Sequence, residues 1–168
     1  MWQKAKNWLE WALVAGLVVY VVWARGPWSS APLIKEGEPA PDFSVRDLKG
    51  REWTLASFAG RPAVLVFFAT WCGACREELP MVSRIAAERP DAGLIVVSEE
   101  APDSVAAYLA RAGLSLRAAG GASAMFRDFG IRVLPSAVLL DEQGIVQYAG
   151  AGTWAVTKAL RGLAGPPP

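Results

Sequence analysis

Ala63-Val64-Leu65-Val66-Phe67-Phe68-Ala69-Thr70-Trp71-Cys72-Gly73-Ala74-Cys75 is the stretch on which the reading of the chain turns. Residues 63–69 are a continuous apolar run rich in β-branched and aromatic side chains, as expected of a strand buried on both faces at the centre of a sheet. Two cysteines separated by two residues follow directly, where the strand gives way to a helix. Residues three apart share a helical face, so the two sulfurs can join around the first turn. Loop-closure entropy grows with ring size, so this short ring is poorly explained as a structural staple and better explained as a bond made to be opened. Cys72 falls at the helix N-terminus, where unpaired N–H groups and the positive end of the dipole favour thiolate, and it is expected to be the attacking sulfur. Cys75, one turn further in, is expected to be shielded and to resolve the mixed disulfide formed with a substrate.

Outward from this motif the pattern alternates strand and helix. Phe43 to Asp47 and Arg51 to Leu55 flank Leu48-Lys49-Gly50 and predict a short hairpin before the main core. A helix is expected after Cys72 through Leu79, Val82, Ile85 and Ala86, interrupted by Pro80, which removes a backbone donor and should kink it. Leu94 to Val97 reads as the next buried strand, and Asp103 to Ala112 as a helix stopped by Gly113 in a left-handed cap. Ser123 to Phe129 suits another turn or two of helix. Ser136 to Leu140 and Ile145 to Ala149 pair across Asp141-Glu142-Gln143-Gly144, and Trp154 to Leu163 forms the closing helix. This order specifies an α/β sandwich, with Phe67 and Phe68 in the core.

Composition narrows the chemistry. A chain of 168 residues is close to one domain, and 53% hydrophobic with 20% charged residues excludes disorder. The net charge is +1 and no basic block is present, so nucleic acid is not an expected partner. Histidine is absent, which removes the usual general base, Ser-His-Asp and Cys-His arrangements, and the commonest metal ligand. With two cysteines in all, a four-ligand zinc site lacks half its donors, c-type haem attachment lacks the histidine that Arg76 replaces, and a copper carrier has only Met1, Met81 and Met125. No metal and no cofactor is expected, and the pair reads as a redox couple.

The apolar excess lies at the front. Residues 8–24, Trp8 to Ala24, carry Glu10 as their only charge and no proline; at 1.5 Å per residue the segment rises about 25 Å, close to a bilayer's hydrocarbon thickness. Trp2, Trp8 and Trp11 at one end and Tyr20, Trp23 and Trp28 at the other suit two interfacial belts. Lys4 and Lys6 precede the span, so residues 1–7 are expected in the cytoplasm and everything after Arg25 outside it. A cleaved signal peptide, with Ser29 and Ala31 at the cleavage positions, is the alternative; either reading exports the domain. Residues 25–41, with Pro27, Pro32, Pro39 and Pro41, are expected to be a semi-stiff linker, residues 42–164 the folded domain, and residues 165–168 a frayed tail.

The Trp71-to-Cys75 motif, Pro80 five residues after it, and Gly130-Ile131-Arg132-Val133-Leu134-Pro135 together resemble the thioredoxin superfamily, of the TlpA/ResA-like membrane-anchored kind. The resemblance covers residues 37–164; Ala40 to Ser44 and Leu139 to Gly144 look like that group's N-terminal extension and late hairpin. It implies a thioredoxin-like fold, a mixed central sheet flanked by helices, with a cis Leu134-Pro135 peptide facing Cys72 and a Leu134 backbone that pairs with substrate chain. It also implies a thiol-disulfide oxidoreductase that reduces disulfides in exported proteins, such as apocytochrome c, with electrons from a membrane thiol-disulfide donor. Glu78 matches a carboxylate which that group carries near its active site. If partly buried without a cation beside it, Glu78 has a raised pKa and can exchange a proton with Cys75; if solvated, it is an ordinary helix glutamate like Glu77. Trp71 is read either as an apolar lid over the nucleophile that also contacts substrate, or as core. Two other functions are weighed against this one. A thiol peroxidase resembling its family would carry proline and a hydroxyl residue where this chain has Leu65 and Ala69, and a non-enzymatic binding module would use the groove around Trp71, Leu134 and Pro135 without needing its cysteines.

Overall fold

The computed structural model describes residues 11–17, 20 and 34–163, in two units, Met1–Ala31 and Pro32–Pro168. In the first unit residues 11–17 and 20 are helical, with Trp11, Leu13, Val14, Leu17 and Tyr20 exposed. Among the described residues no helix is long and apolar enough to cross a membrane. The rest of the span read at 8–24 lies outside the described residues, as do 1–7, most of the tether and the tail at 165–168.

The second unit is built on a five-stranded sheet of order β5-β4-β3-β6-β7. Strand β3 (Ala63–Phe67) is its centre, buried at every position because both faces are covered. It runs parallel to β4 (Gly93–Val97) and antiparallel to β6 (Ser136–Leu140), which pairs antiparallel with β7 (Val146–Ala151). The hairpin expected ahead of the core is present as β1 (Ser44–Arg46) and β2 (Glu52–Thr54). Leu55, expected to end its second strand, instead begins a 3-10 turn, Leu55–Phe58, in which the Ser57 hydroxyl accepts the Thr54 N–H at 3.0 Å.

Side chains alternate across β3 and divide the core in two. Val64 and Val66 pack with helix α1 (Gly73–Glu88), helix α2 (Pro102–Ala112) and helix α4 (Thr153–Leu163) through Leu79, Val82, Val105, Leu109, Val156 and Leu160. Ala63, Leu65 and Phe67 face the hairpin and helix α3 (Ser123–Asp128) through Val45, Trp53, Met125 and Phe126. Phe67 and Phe68 are fully buried, as read, and each contributes about 1.5–3 kcal/mol through removal from water. Gly113 closes α2 at φ 65°, a conformation that a β-carbon would strain.

Two expectations are corrected, and one strand was not foreseen. The helix after Cys72 is not interrupted: α1 continues through Pro80, which lies exposed, where the carbonyl it deprives of a donor belongs to exposed Arg76 and can be hydrated. A fifth strand, β5 (Ala118–Ala119), pairs with β4; two alanines carry no strand signal of their own and are recruited by pairing. The end of the stretch read as linker is not free, because Gly37 and Ala40 donate to the carbonyls of Val146 and Gly144 at 2.8 and 3.0 Å, and Val146 donates to that of Glu38 at 2.9 Å. These residues cover the start of the outer edge of β7 and the turn before it, which would otherwise offer unpaired backbone groups.

Candidate active site

Three neighbouring strands deliver the site to one end of the sheet. Phe67 at the end of β3 stands opposite Ser136 at the start of β6, and Ser136 stands opposite Ala151 at the end of β7. The Trp71-Cys72 loop, the Leu134-Pro135 loop and the start of α4 therefore emerge side by side.

Cys72 is the N-cap of α1, with extended backbone (φ −78°, ψ 113°), and its Sγ accepts the Cys75 N–H at 3.1 Å. The two cysteines form a disulfide with Cα atoms 5.2 Å apart. Cys72 retains 7% exposure and Cys75 1%, the asymmetry expected of an outer and an inner sulfur. Once the bond is reduced, the N–H that now meets the Cys72 sulfur and the positive end of a 16-residue helix both favour thiolate there.

Glu78, one turn beyond Cys75, is half-buried, and its Oε2 has no hydrogen-bond partner. Burial, and then the charge of neighbouring Glu77, push its carboxyl above the ordinary range. That matches the partly buried reading, while Glu77 itself is exposed. Trp71, one residue before the disulfide, is 71% exposed, which sets aside the reading of it as core and leaves its indole accessible beside the site. Leu134-Pro135 is cis, as the resemblance implies; Pro135 is buried and Leu134 half-buried against the cluster that contains both cysteines. The Gly152 N–H donates to the Pro135 carbonyl at 2.6 Å, and the Ser136 hydroxyl to that of Val133 at 2.6 Å, which fixes the loop from both sides.

One residue of the site escaped the sequence reading. The Glu100 carboxylate accepts the Thr70 N–H and the Thr70 hydroxyl, each at 2.6 Å, and the Ser98 hydroxyl at 3.2 Å. Thr70 also uses its carbonyl, which accepts from Arg76 Nε at 2.7 Å. The residue two before the nucleophile is thus held at three atoms. A signal was present, since Ser98-Glu99-Glu100 follows the C-terminal end of a parallel strand, where α/β proteins place their chemistry.

Among the described residues no group of three or more Cys, Asp or Glu side chains is placed to hold a metal ion. A cavity of about 700 Å³ opens between the hairpin, α1 and α2, lined by Trp53, Leu109 and Arg117 among others, and none of the residues above lines it. Leu65 and Ala69 are buried and apolar and offer no hydroxyl to a peroxide.

Comparison with known proteins agrees with this chemistry. The AhpC/TSA family profile matches residues 37–149. The chain belongs to that family. It is 30% identical over 155 residues to the thioredoxin-like protein YneN of Bacillus subtilis, covering 88% of this chain and 91% of that one. It is 30% identical to the thiol:disulfide interchange protein DsbE of Pseudomonas aeruginosa (81% and 79% covered) and 26% identical to the thiol-disulfide oxidoreductase ResA of Bacillus cereus (80% and 79%). A solved thiol:disulfide interchange protein from Chlorobium tepidum superposes with a TM-score of 0.64 at 24% identity, covering 79% of this chain and 99% of its own, and shows the same thioredoxin-like fold. This family member is a thiol-disulfide oxidoreductase, and Cys72 and Cys75 are the only cysteines it has for that chemistry.

Proposed function

We propose that the protein is a membrane-tethered reductant of disulfides in exported proteins, apocytochrome c among the candidate substrates. The observation that carries this reading is the pairing of an N-cap sulfur, bonded to the Cys75 N–H, with a partner sulfur shielded one turn behind. In the reduced enzyme the Cys72 thiolate attacks one sulfur of the substrate disulfide and expels the other as thiolate, leaving substrate joined to Cys72. Cys75 then loses its proton, to the Glu78 carboxylate in this reading, and attacks Cys72 Sγ. The Cys72–Cys75 bond closes, and the second substrate sulfur leaves and is protonated. Two electrons pass from the dithiol to the substrate, and a membrane thiol-disulfide donor returns them. Leu134 and Pro135 hold the substrate chain beside Cys72, and Trp71 touches it from the opposite side.

The anchor in this reading is the apolar segment 8–24 with its tryptophan belts, which leaves the catalytic domain on the extracytoplasmic side. Relatives named for disulfide interchange support the reaction class. Trapping with Cys75→Ser tests the whole: the variant should accumulate mixed disulfides on Cys72 with exported proteins in the membrane fraction. Failure to trap any partner, or trapping of cytoplasmic proteins alone, would overturn the reading. Direction is tested by the reduction potential, expected near or below about −270 mV for a reductant; a value near about −120 mV would make the enzyme an oxidant. The part given to Glu78 is tested by the pH profiles of Cys72 and Cys75 reactivity in Glu78→Gln, where an unchanged profile removes it.

A further inference from the structure

Among the described residues of the second unit, three large hydrophobic side chains are left exposed: Trp71 at 71%, Val133 at 37% and Trp154 at 67%. Isolated apolar side chains on a surface need no explanation, but these three share one edge of the molecule. Trp71 lies four residues beyond Phe67, Val133 three before Ser136, and Trp154 three beyond Ala151, and those three strand ends stand opposite one another. The start of α4 is tied to the site directly, by the Gly152 N–H on the Pro135 carbonyl. Trp154 does not stabilise the core, which α4 reaches through Ala155, Val156, Ala159, Leu160 and Leu163 on its other face. One flank of the indole meets the Arg161 guanidinium, 6.0 Å from the ring centre.

We infer that Trp154 forms the far wall of the substrate surface, and that the enzyme favours disulfides whose cysteine is flanked by bulky apolar side chains in an extended polypeptide segment. The inference rests on the reading of Cys72 as the sulfur that attacks substrate. Strand β6 lies between β3 and β7, so a chain held along Leu134 runs between the strand ends that lead to Trp71 and to Trp154. A rigid indole offers a broad apolar face at small entropic cost, which is why tryptophan is over-represented among residues that dominate interfaces. Two such faces bracketing the reacting sulfur reward apolar neighbours of the substrate cysteine and give small polar ones nothing to hold.

The test compares two synthetic peptide disulfides of equal length and charge, one with leucine and tryptophan beside the cysteine and one with serine and glycine. Second-order rates of their reduction are measured for the full-length reduced protein, Trp154→Ala and Trp154→Phe. The parent should prefer the apolar peptide about tenfold, Trp154→Ala should cut that preference to about twofold, and Trp154→Phe should keep most of it. Equal rates on both peptides in the parent, or a preference that Trp154→Ala leaves intact, would overturn the inference while leaving the oxidoreductase reading standing. Exchange with neither peptide would overturn both. A concentration-dependent dimer in sedimentation that disappears in Trp154→Ala would assign the indole to self-association and overturn the inference as well.

Discussion

Replacing Glu100 with alanine is expected to weaken both the fold and the reactivity of Cys72, because it releases the loop that presents the nucleophile. The carboxylate takes two hydrogen bonds of 2.6 Å from Thr70 and a longer one of 3.2 Å from Ser98. A hydrogen bond to a charged group contributes about 1.5–3 kcal/mol, and Thr70 is half-buried, so water recovers part of what is lost. The net cost expected for Glu100→Ala is about 2–4 kcal/mol. Glu100→Gln keeps one oxygen acceptor for Thr70 and should cost about 1–2 kcal/mol, as should Thr70→Val, which gives up only the hydroxyl bond. Combined, the last two should fall short of additive by about 1 kcal/mol, because they share a contact. Urea unfolding gives the stabilities, and the rate of Cys72 alkylation in a Cys75→Ser background gives the reactivity. A cost below about 0.5 kcal/mol for Glu100→Ala, the range of a plain surface substitution, with alkylation unchanged would refute the clamp.

Two further perturbations follow from the same geometry. Burial holds the Glu78 carboxyl above its ordinary range, so the native state binds that proton more tightly than the unfolded chain does. The penalty of ionising it is absent below the unfolded pKa, grows as pH rises toward the folded one and is complete above it. Glu78→Gln should therefore be more stable than the parent at pH 7 and equal to it at about pH 3, below the ordinary carboxylate range; urea midpoints that differ equally at both would contradict this. Gly120→Ala would place a β-carbon 2.7 Å from both the Glu100 carbonyl oxygen and the Pro102 Cα, backbone atoms that cannot step aside. It should cost about 1–3 kcal/mol by thermal unfolding and slow Cys72 alkylation with it, whereas an unchanged midpoint would show that the loop yields freely.

The parts of the fold legible in the sequence were those whose signal is local. The all-apolar run from Ala63, the Gly113 cap and the turn before β7 each announce themselves within a few residues, and the structure has all three, although β3 ends at Phe67, two residues before the run read as strand does, and β7 is Val146–Ala151 rather than Ile145 to Ala149. What stayed illegible depends on partners distant in sequence. Ala118 and Ala119 become a strand only because Val96 and Val97 offer them a ladder, and residues 37–40 leave the linker only because the turn at Gly144 and the first residue of β7 offer them backbone partners. The site divides in the same way. Cys72, Cys75 and Pro135 follow from spacing or resemblance, but the Glu100 clamp spans 30 residues of chain and is invisible to any window. Trp71 could be read from sequence as lid or as core, because an aromatic beside a nucleophile suits either; its exposure sets aside the core alternative.

The acidity of the Cys72 thiol tests the account most directly. Its alkylation rate should be followed against pH in Cys75→Ser, a substitution that keeps the backbone N–H now 3.1 Å from the Cys72 sulfur. The helix N-terminus predicts a midpoint at least about one unit below the ~8.5 of a free cysteine. A midpoint at or above that ordinary value would contradict the assignment of Cys72 as the attacking sulfur.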